Sequence, residues 1–148
     1  METFSHLSED GQAHMVNVGT KPLQRRRAVA EGALVCAPET IAKLRAHALP
    51  KGDVLTVAQI AGIQAAKRTA ELIPLCHPLA LDAIEVAFTF EDSRIVIRAT
   101  VDITARTGVE MEALTAVSVA ALTLYDMCKS VDKAMVIEGI RVVEKTKQ

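Results

Sequence analysis

Three groups of residues have the types and spacing to do chemistry. Thr107-Gly108-Val109-Glu110-Met111-Glu112 sets two carboxylates at the start of a long apolar segment. Carboxylates so placed can exchange protons with a substrate, although acidic residues also favour the positive N-terminal end of any helix. Asp126 and Lys129 stand three positions apart beyond the same segment, the spacing of an ordinary helix-surface ion pair. Each pair taken alone reads as structure. Their setting gives them weight, because a charge flanking the most apolar part of a chain is costly unless it is paired or used.

The second group is Leu75-Cys76-His77, bracketed by Pro74 and Pro78. The prolines force an extended, non-helical loop. A lone His is more often a hydrogen-bonded structural residue, but held in a rigid loop it can donate to a phosphate or purine, or shuttle protons near neutral pH. Adjacent Cys76 and His77 lack the ligand spacing of a zinc site, so no metal site is expected. The third group is cationic: Arg25, Arg26, Arg27, Lys51, Lys67, Arg68, Lys129, Lys133 and Lys145. Most must be solvated surface. Lys51 in a Gly-containing turn, Lys129 beside a helix end and Arg26 could together hold a polyphosphate. Neither a Walker-type loop nor GxGxxG occurs, so such a site would be built from side chains.

The elements that must position these groups read as follows. His14-Met15-Val16-Asn17-Val18 suggests a weak strand or extended arm within an irregular stretch over residues 1–20. The latter part of Ala28–Cys36 reads as a strand, with helix as the alternative. A short helix is expected from about Pro38 to Ala48, with Pro in its first turn. Pro50-Lys51-Gly52-Asp53 is a turn whose Asp53 can cap a helix ending near Leu72. Gly62 within that helix suggests close packing of another backbone. Alternation predicts strands over Ile84–Phe90 and Ile95–Ile103, joined by the hairpin turn Glu91-Asp92-Ser93-Arg94. A long helix from Gly108 to about Met127 is apolar nearly all round and is expected to be buried on every side. A last strand covers Ala134–Val143. This order predicts an α+β fold, a ferredoxin-like antiparallel sheet with helices packed on one face. So apolar a helix calls for an oligomer to cover it.

Composition bounds the function classes. The 148 residues suit one domain, half are hydrophobic, and 17 basic residues against 18 acidic leave a net charge of -1. That balance excludes a general nucleic-acid binder, which needs excess Lys and Arg. Phe4, Phe88, Phe90 and Tyr125 are too few for a base-stacking platform. Cys36, Cys76 and Cys128 form no CxxC pair and read as reduced, mostly buried thiols. The N-terminus shows no basic region followed by an apolar run, and the longest uncharged stretches, 54–66 and 113–125, fall short of the roughly 20 residues that span a bilayer. A cytoplasmic protein is expected.

Longer motifs carry a resemblance. Lys51-Gly52-Asp53-Val54, Ala58-Gln59-Ile60-Ala61-Gly62-Ile63, Ala65-Ala66-Lys67-Arg68-Thr69 and Leu72-Ile73-Pro74-Leu75-Cys76-His77-Pro78-Leu79 resemble the signature segments of one family. So do Thr107 to Thr115 and Tyr125-Asp126-Met127-Cys128-Lys129. That family is cyclic pyranopterin monophosphate synthase, the molybdenum cofactor biosynthesis protein C family, and the likeness runs from His14 to Lys145. The resemblance implies a lyase that converts 3',8-cyclo-7,8-dihydroguanosine 5'-triphosphate to cyclic pyranopterin monophosphate and pyrophosphate. It implies a homohexamer, a trimer of dimers of ferredoxin-like subunits with active sites at the dimer interface. By motif, Asp126 is the catalytic acid/base and Lys129 its essential neighbour. Leu75, Cys76, His77, Met111 and Glu112 contact substrate, and Glu110, Lys51, Arg26 and Lys145 match further functional positions. No cofactor is implied beyond a Mg2+ ion that could accompany the triphosphate. Two departures stand out: Asn17 replaces the family's usual Asp, and many relatives have a Gly- and Lys-rich tail beyond Lys147-Gln148.

Two rival classes make different use of these residues. A nucleotide-sensing module would keep the cations but has no need of carboxylates at a buried helix start. A structural scaffold leaves every charged cluster unexplained.

Overall fold

The computed structural model describes residues 3–47 and 53–148. Along the chain lie β1 (Gln24–Val35), α1 (Pro38–Arg45), α2 (Val54–Lys67), α3 (Thr69–Leu72), β2 (Ala83–Phe90), β3 (Arg94–Ala105), α4 (Glu110–Cys128) and β4 (Val136–Lys147). The strands form a four-stranded antiparallel sheet in the order β2-β3-β1-β4, the ferredoxin-like arrangement. Helices α2 and α4 pack on each other and on one face of this sheet.

The strands run longer than hydrophobic alternation suggests. β1 begins at Gln24, because Arg27 lies directly opposite Asp102 on β3 and their side chains pair at 2.7 Å. Glu31 and Arg98 repeat the device at 3.0 Å. β4 continues past Val143 to Lys147, since Lys145 and Lys147 sit opposite Ala28 and Arg26 and their backbones complete the ladder. Conversely, α2 stops at Lys67, short of Leu72. The buried Thr69 hydroxyl donates to the Ala65 and Ala66 carbonyls at 3.3 and 2.9 Å, which breaks the run and starts the short α3. Of the weak strand or extended arm expected over His14–Val18, the strand does not form; among the described residues before β1 the one ladder contact is an isolated bridge between Leu7 and Ala13. Of the turn expected at Pro50–Asp53, only Asp53 falls among the described residues, and it caps α2 by accepting the Thr56 N–H at 3.1 Å.

Small residues let α2 and α4 approach closely. A Cβ on Gly62 would lie 2.9 Å from the Ala116 carbonyl oxygen and 3.3 Å from the Ala120 Cβ. The close approach expected of Gly62 is therefore real. On α4, Ala113, Ala116, Val117, Ala120, Ala121 and Leu124 are fully buried, yet Leu122 is 59% exposed. The helix is thus not covered on every side by its own chain, because the outer layer of a two-layer fold meets only a sheet and one neighbouring helix. By length and composition α4 could also cross a membrane. However, 56% of that stretch is buried within the fold, as in a core helix.

The end of α4 is tied to α1 by a residue that sequence reading missed. Ala37 cannot cap α1 with its own side chain. Instead Asp132 reaches in, accepting the Ala37 N–H at 2.9 Å and the Thr40 hydroxyl at 2.8 Å. The Ala37 bond holds its carboxyl below the usual carboxylate range, assisted by Thr40 and the Ala134 N–H. Replacing Asp132 by Ala should cost about 1–3 kcal/mol at neutral pH, measured by denaturant melts. A depressed pKa stabilises the fold fully above the unfolded value of about 3.9, and that contribution is lost as pH falls through the folded value. The two proteins should therefore converge in stability at acid pH.

Candidate active site

The loop ahead of α4 and the Pro74–Pro78 loop meet. Between them is a cleft of about 300 Å³ lined by Leu75, Cys76, His77, Gly108, Glu110, Met111 and Glu112, among others. Two motifs more than thirty positions apart thus share one wall-to-wall space. Glu110 and Glu112 occupy the first turn of α4, where backbone N–H groups and the helix dipole favour negative charge. Glu112 is only 4% exposed, and burial pushes its carboxyl above the usual carboxylate range, with the nearby Glu110 charge adding to the effect. A buried carboxylate with a raised pKa holds a proton more readily than an exposed one, which suits it to exchange protons with a bound substrate. Burial, reinforced by Glu112, raises the Cys76 thiol too, so it stays protonated at neutral pH.

Glu110 faces Lys145 of β4, Oε1 to Nζ at 3.0 Å. Gly108 makes room for that carboxylate; a Cβ there would strike it. Arg26 lies outside the cleft, lining a polar cavity with Arg25 and Arg27 instead. Its guanidinium donates to the Ala105 and Arg106 carbonyls at 3.3 and 3.4 Å, so it braces the loop that leads into Thr107–Glu110. Lys51 lies outside the described residues.

His77 is held from an unexpected direction. Its Nε2 contacts the Val16 carbonyl oxygen at 2.6 Å. A carbonyl can only accept, so Nε2 carries the proton and Nδ1 is the nitrogen left for other partners. The arm also contributes Ser5, His6, Val18 and Lys21 to the lining. Reading strands and helices alone did not reveal this, because the arm belongs to neither.

Asp126 and Lys129 pair at 3.0 Å, both well exposed, at the other end of α4. The helix is continuous from Glu110 to Cys128. Glu112 and Asp126 are therefore separated by roughly 21 Å along the axis, so one chain does not bring them together. Cys36 and Cys128 are buried and their thiols are pushed up to about 11, chiefly by burial. Such thiols pack rather than react. Among the described residues, no group of three or more His, Cys, Asp or Glu could hold a metal ion.

A ferredoxin-like α+β fold with carboxylates, an imidazole and a thiol gathered at the mouth of its core helix defines a small-molecule site of the kind enzymes use. Comparison with known proteins narrows the class. The MoaC family matches residues 15–148, and the chain belongs to that family. A protein of Novosphingobium aromaticivorans named cyclic pyranopterin monophosphate synthase is 56% identical over 145 residues, which cover 98% of this chain and 92% of the relative. One of the same name from Heliobacterium modesticaldum is 53% identical over 148 residues, 99% of this chain and 93% of the relative. A molybdenum cofactor biosynthesis bifunctional protein of Chlorobaculum tepidum is 59% identical over 143 residues. This chain spans 46% of that longer protein's length.

Proposed function

We propose that the protein is a cyclic pyranopterin monophosphate synthase, a cytoplasmic lyase that acts on 3',8-cyclo-7,8-dihydroguanosine 5'-triphosphate and releases pyrophosphate. The observation that carries this reading is the joining of Leu75-Cys76-His77 with Glu110-Met111-Glu112 in one cleft. Rearranging a purine ring needs proton donors and acceptors, and His77, Glu112 and Asp126 supply them. Closing a cyclic phosphate requires a hydroxyl oxygen to attack the α-phosphorus, lose its proton to a base and displace pyrophosphate. Lys51, Lys129 and Lys145 supply cations for the charge that gathers on the phosphate oxygens. A Mg2+ ion bound to the triphosphate would serve the same end.

The separation along α4 supports a site shared by two chains. At roughly 100° per residue, Met111, Ser118, Leu122 and Lys129 fall within about 40° of one another, forming one stripe. Met111 and Leu122 on it are 36% and 59% exposed. An antiparallel copy of the stripe, related by a two-fold axis, buries Leu122 and sets the start of one α4 beside the end of the other. Glu112 of one chain then shares a pocket with Asp126 and Lys129 of its partner. Three such dimers make the homohexamer. The functional assay is direct: incubation with the cyclic GTP derivative should yield one pyrophosphate per cyclic pyranopterin monophosphate formed. A folded protein that releases none overturns the reading.

A further inference from the structure

We infer that Lys21, in the arm that precedes β1, is a substrate-contacting residue that binds the anionic phosphate chain from within the same subunit as His77. The inference rests on the functional reading above for the identity of the substrate, but its geometry is independent. Lys21 lines the cleft together with His77, Glu110 and Glu112. Glu110 is balanced by Lys145, whereas Glu112 is buried with no ion pair to any described residue. A polyanion entering so acidic a space needs cations at its wall, and Lys145 is already engaged with Glu110 while Lys129 would come from the partner. Among the described residues lining the cleft, Lys21 is the only Lys or Arg. It forms no ion pair with another described residue, so its ammonium is available to a ligand. Arg26 is committed to the backbone carbonyls of Ala105 and Arg106 and cannot serve here.

The arm holds Lys21 in place despite having no regular structure. Upstream, the Val16 carbonyl is fastened to His77 Nε2 at 2.6 Å. Between the two, Asn17 Oδ1 accepts the Gly19 N–H at 2.9 Å, and the Lys21 N–H closes a turn on the Val18 carbonyl at 3.0 Å. Downstream, Pro22 restricts the backbone and β1 begins at Gln24. The amide oxygen of Asn17 thus accepts the turn's hydrogen bond, as the oxygen of the family's usual Asp could.

The test compares the parent protein with Lys21→Ala and Lys21→Arg. Two readouts are needed: steady-state pyrophosphate release from the cyclic GTP derivative, and calorimetric binding of inorganic tripolyphosphate as a probe. Lys21 is exposed, so melting temperatures should match and report folding. Losing one charge-assisted contact should raise KM and weaken tripolyphosphate binding by roughly tenfold or more, with kcat changed less. Lys21→Arg should restore both to within about threefold, since either cation can meet a phosphate. If the parent turns over and neither KM nor tripolyphosphate binding responds to Lys21→Ala, the assignment of Lys21 fails and the function stands. If the parent releases no pyrophosphate while tripolyphosphate binding still depends on Lys21, the function fails and the anion site stands. A parent that neither turns over nor binds tripolyphosphate overturns both.

Discussion

A Lys129→Ala protein is expected to lose pyrophosphate release by about 100-fold or more while melting within a few degrees of the parent. The contrast follows from where Lys129 sits. Its pair with Asp126 is exposed on both sides, and a pair three positions apart on a helix surface contributes under about 0.5 kcal/mol. Any large effect must therefore arise in the reaction. The same residues distinguish a shared site from a complete one. Glu112→Gln and Asp126→Ala proteins should each be inactive, because each removes a proton-transfer group. Mixed under conditions that exchange subunits, they should recover about a quarter of parent activity, since half of the random dimers are mixed and each carries one intact site of two. Absence of recovery despite demonstrated exchange would show that the two ends of α4 serve separate purposes. Near-normal turnover by Lys129→Ala would remove that residue from the mechanism altogether.

The Glu112→Gln protein carries the second large expectation, a gain in stability accompanying the loss of activity. Glu112 is 4% exposed and its carboxyl is raised chiefly by burial, so ionising it in the folded chain costs free energy. A neutral amide of the same shape escapes that cost. The variant should melt about 2–4 °C higher at neutral pH, the shift that about 1 kcal/mol produces in a chain of this size. The sign fixes the pH dependence. A raised folded pKa means that protonated Glu112 favours the folded state below the unfolded value of about 4.3, and this advantage is lost as pH rises through the folded value. The difference between the two proteins should therefore be small below the unfolded value and greatest once pH has risen past the folded one. A Gln variant less stable than the parent at pH 7 would mean that a cation from outside the chain compensates Glu112.

Much of this molecule was legible before any coordinates. Period-two alternation in Ile84–Phe90 and Ile95–Ile103 foretold the hairpin of β2 and β3, because a half-buried strand presents successive side chains to opposite environments. The apolar run after Glu112 foretold the core helix, and Gly62 its tight neighbour. The motifs of Leu75-Cys76-His77 and Glu110-Met111-Glu112 pointed to chemistry through residue type and setting. Other features were invisible because they depend on partners distant in sequence. Arg27 belongs to a strand because its backbone pairs with β3 and β4 on either side, and Lys145 finds Glu110 only when β4 pairs with β1. Asp132 caps a helix whose N-cap residue, Ala37, lies 95 positions earlier.

The sequence by itself determined the element order, the apolar faces and the family, since these rest on local periodicity and contiguous motifs. Only the tertiary structure decided which polar groups share a space. It joined His77 to the Glu112 end of α4, whose distance from Asp126 and Lys129 already follows from helix rise along the sequence. It also brought the irregular arm over the cleft, because a carbonyl at Val16 and a ring nitrogen on His77 satisfy each other across 61 positions.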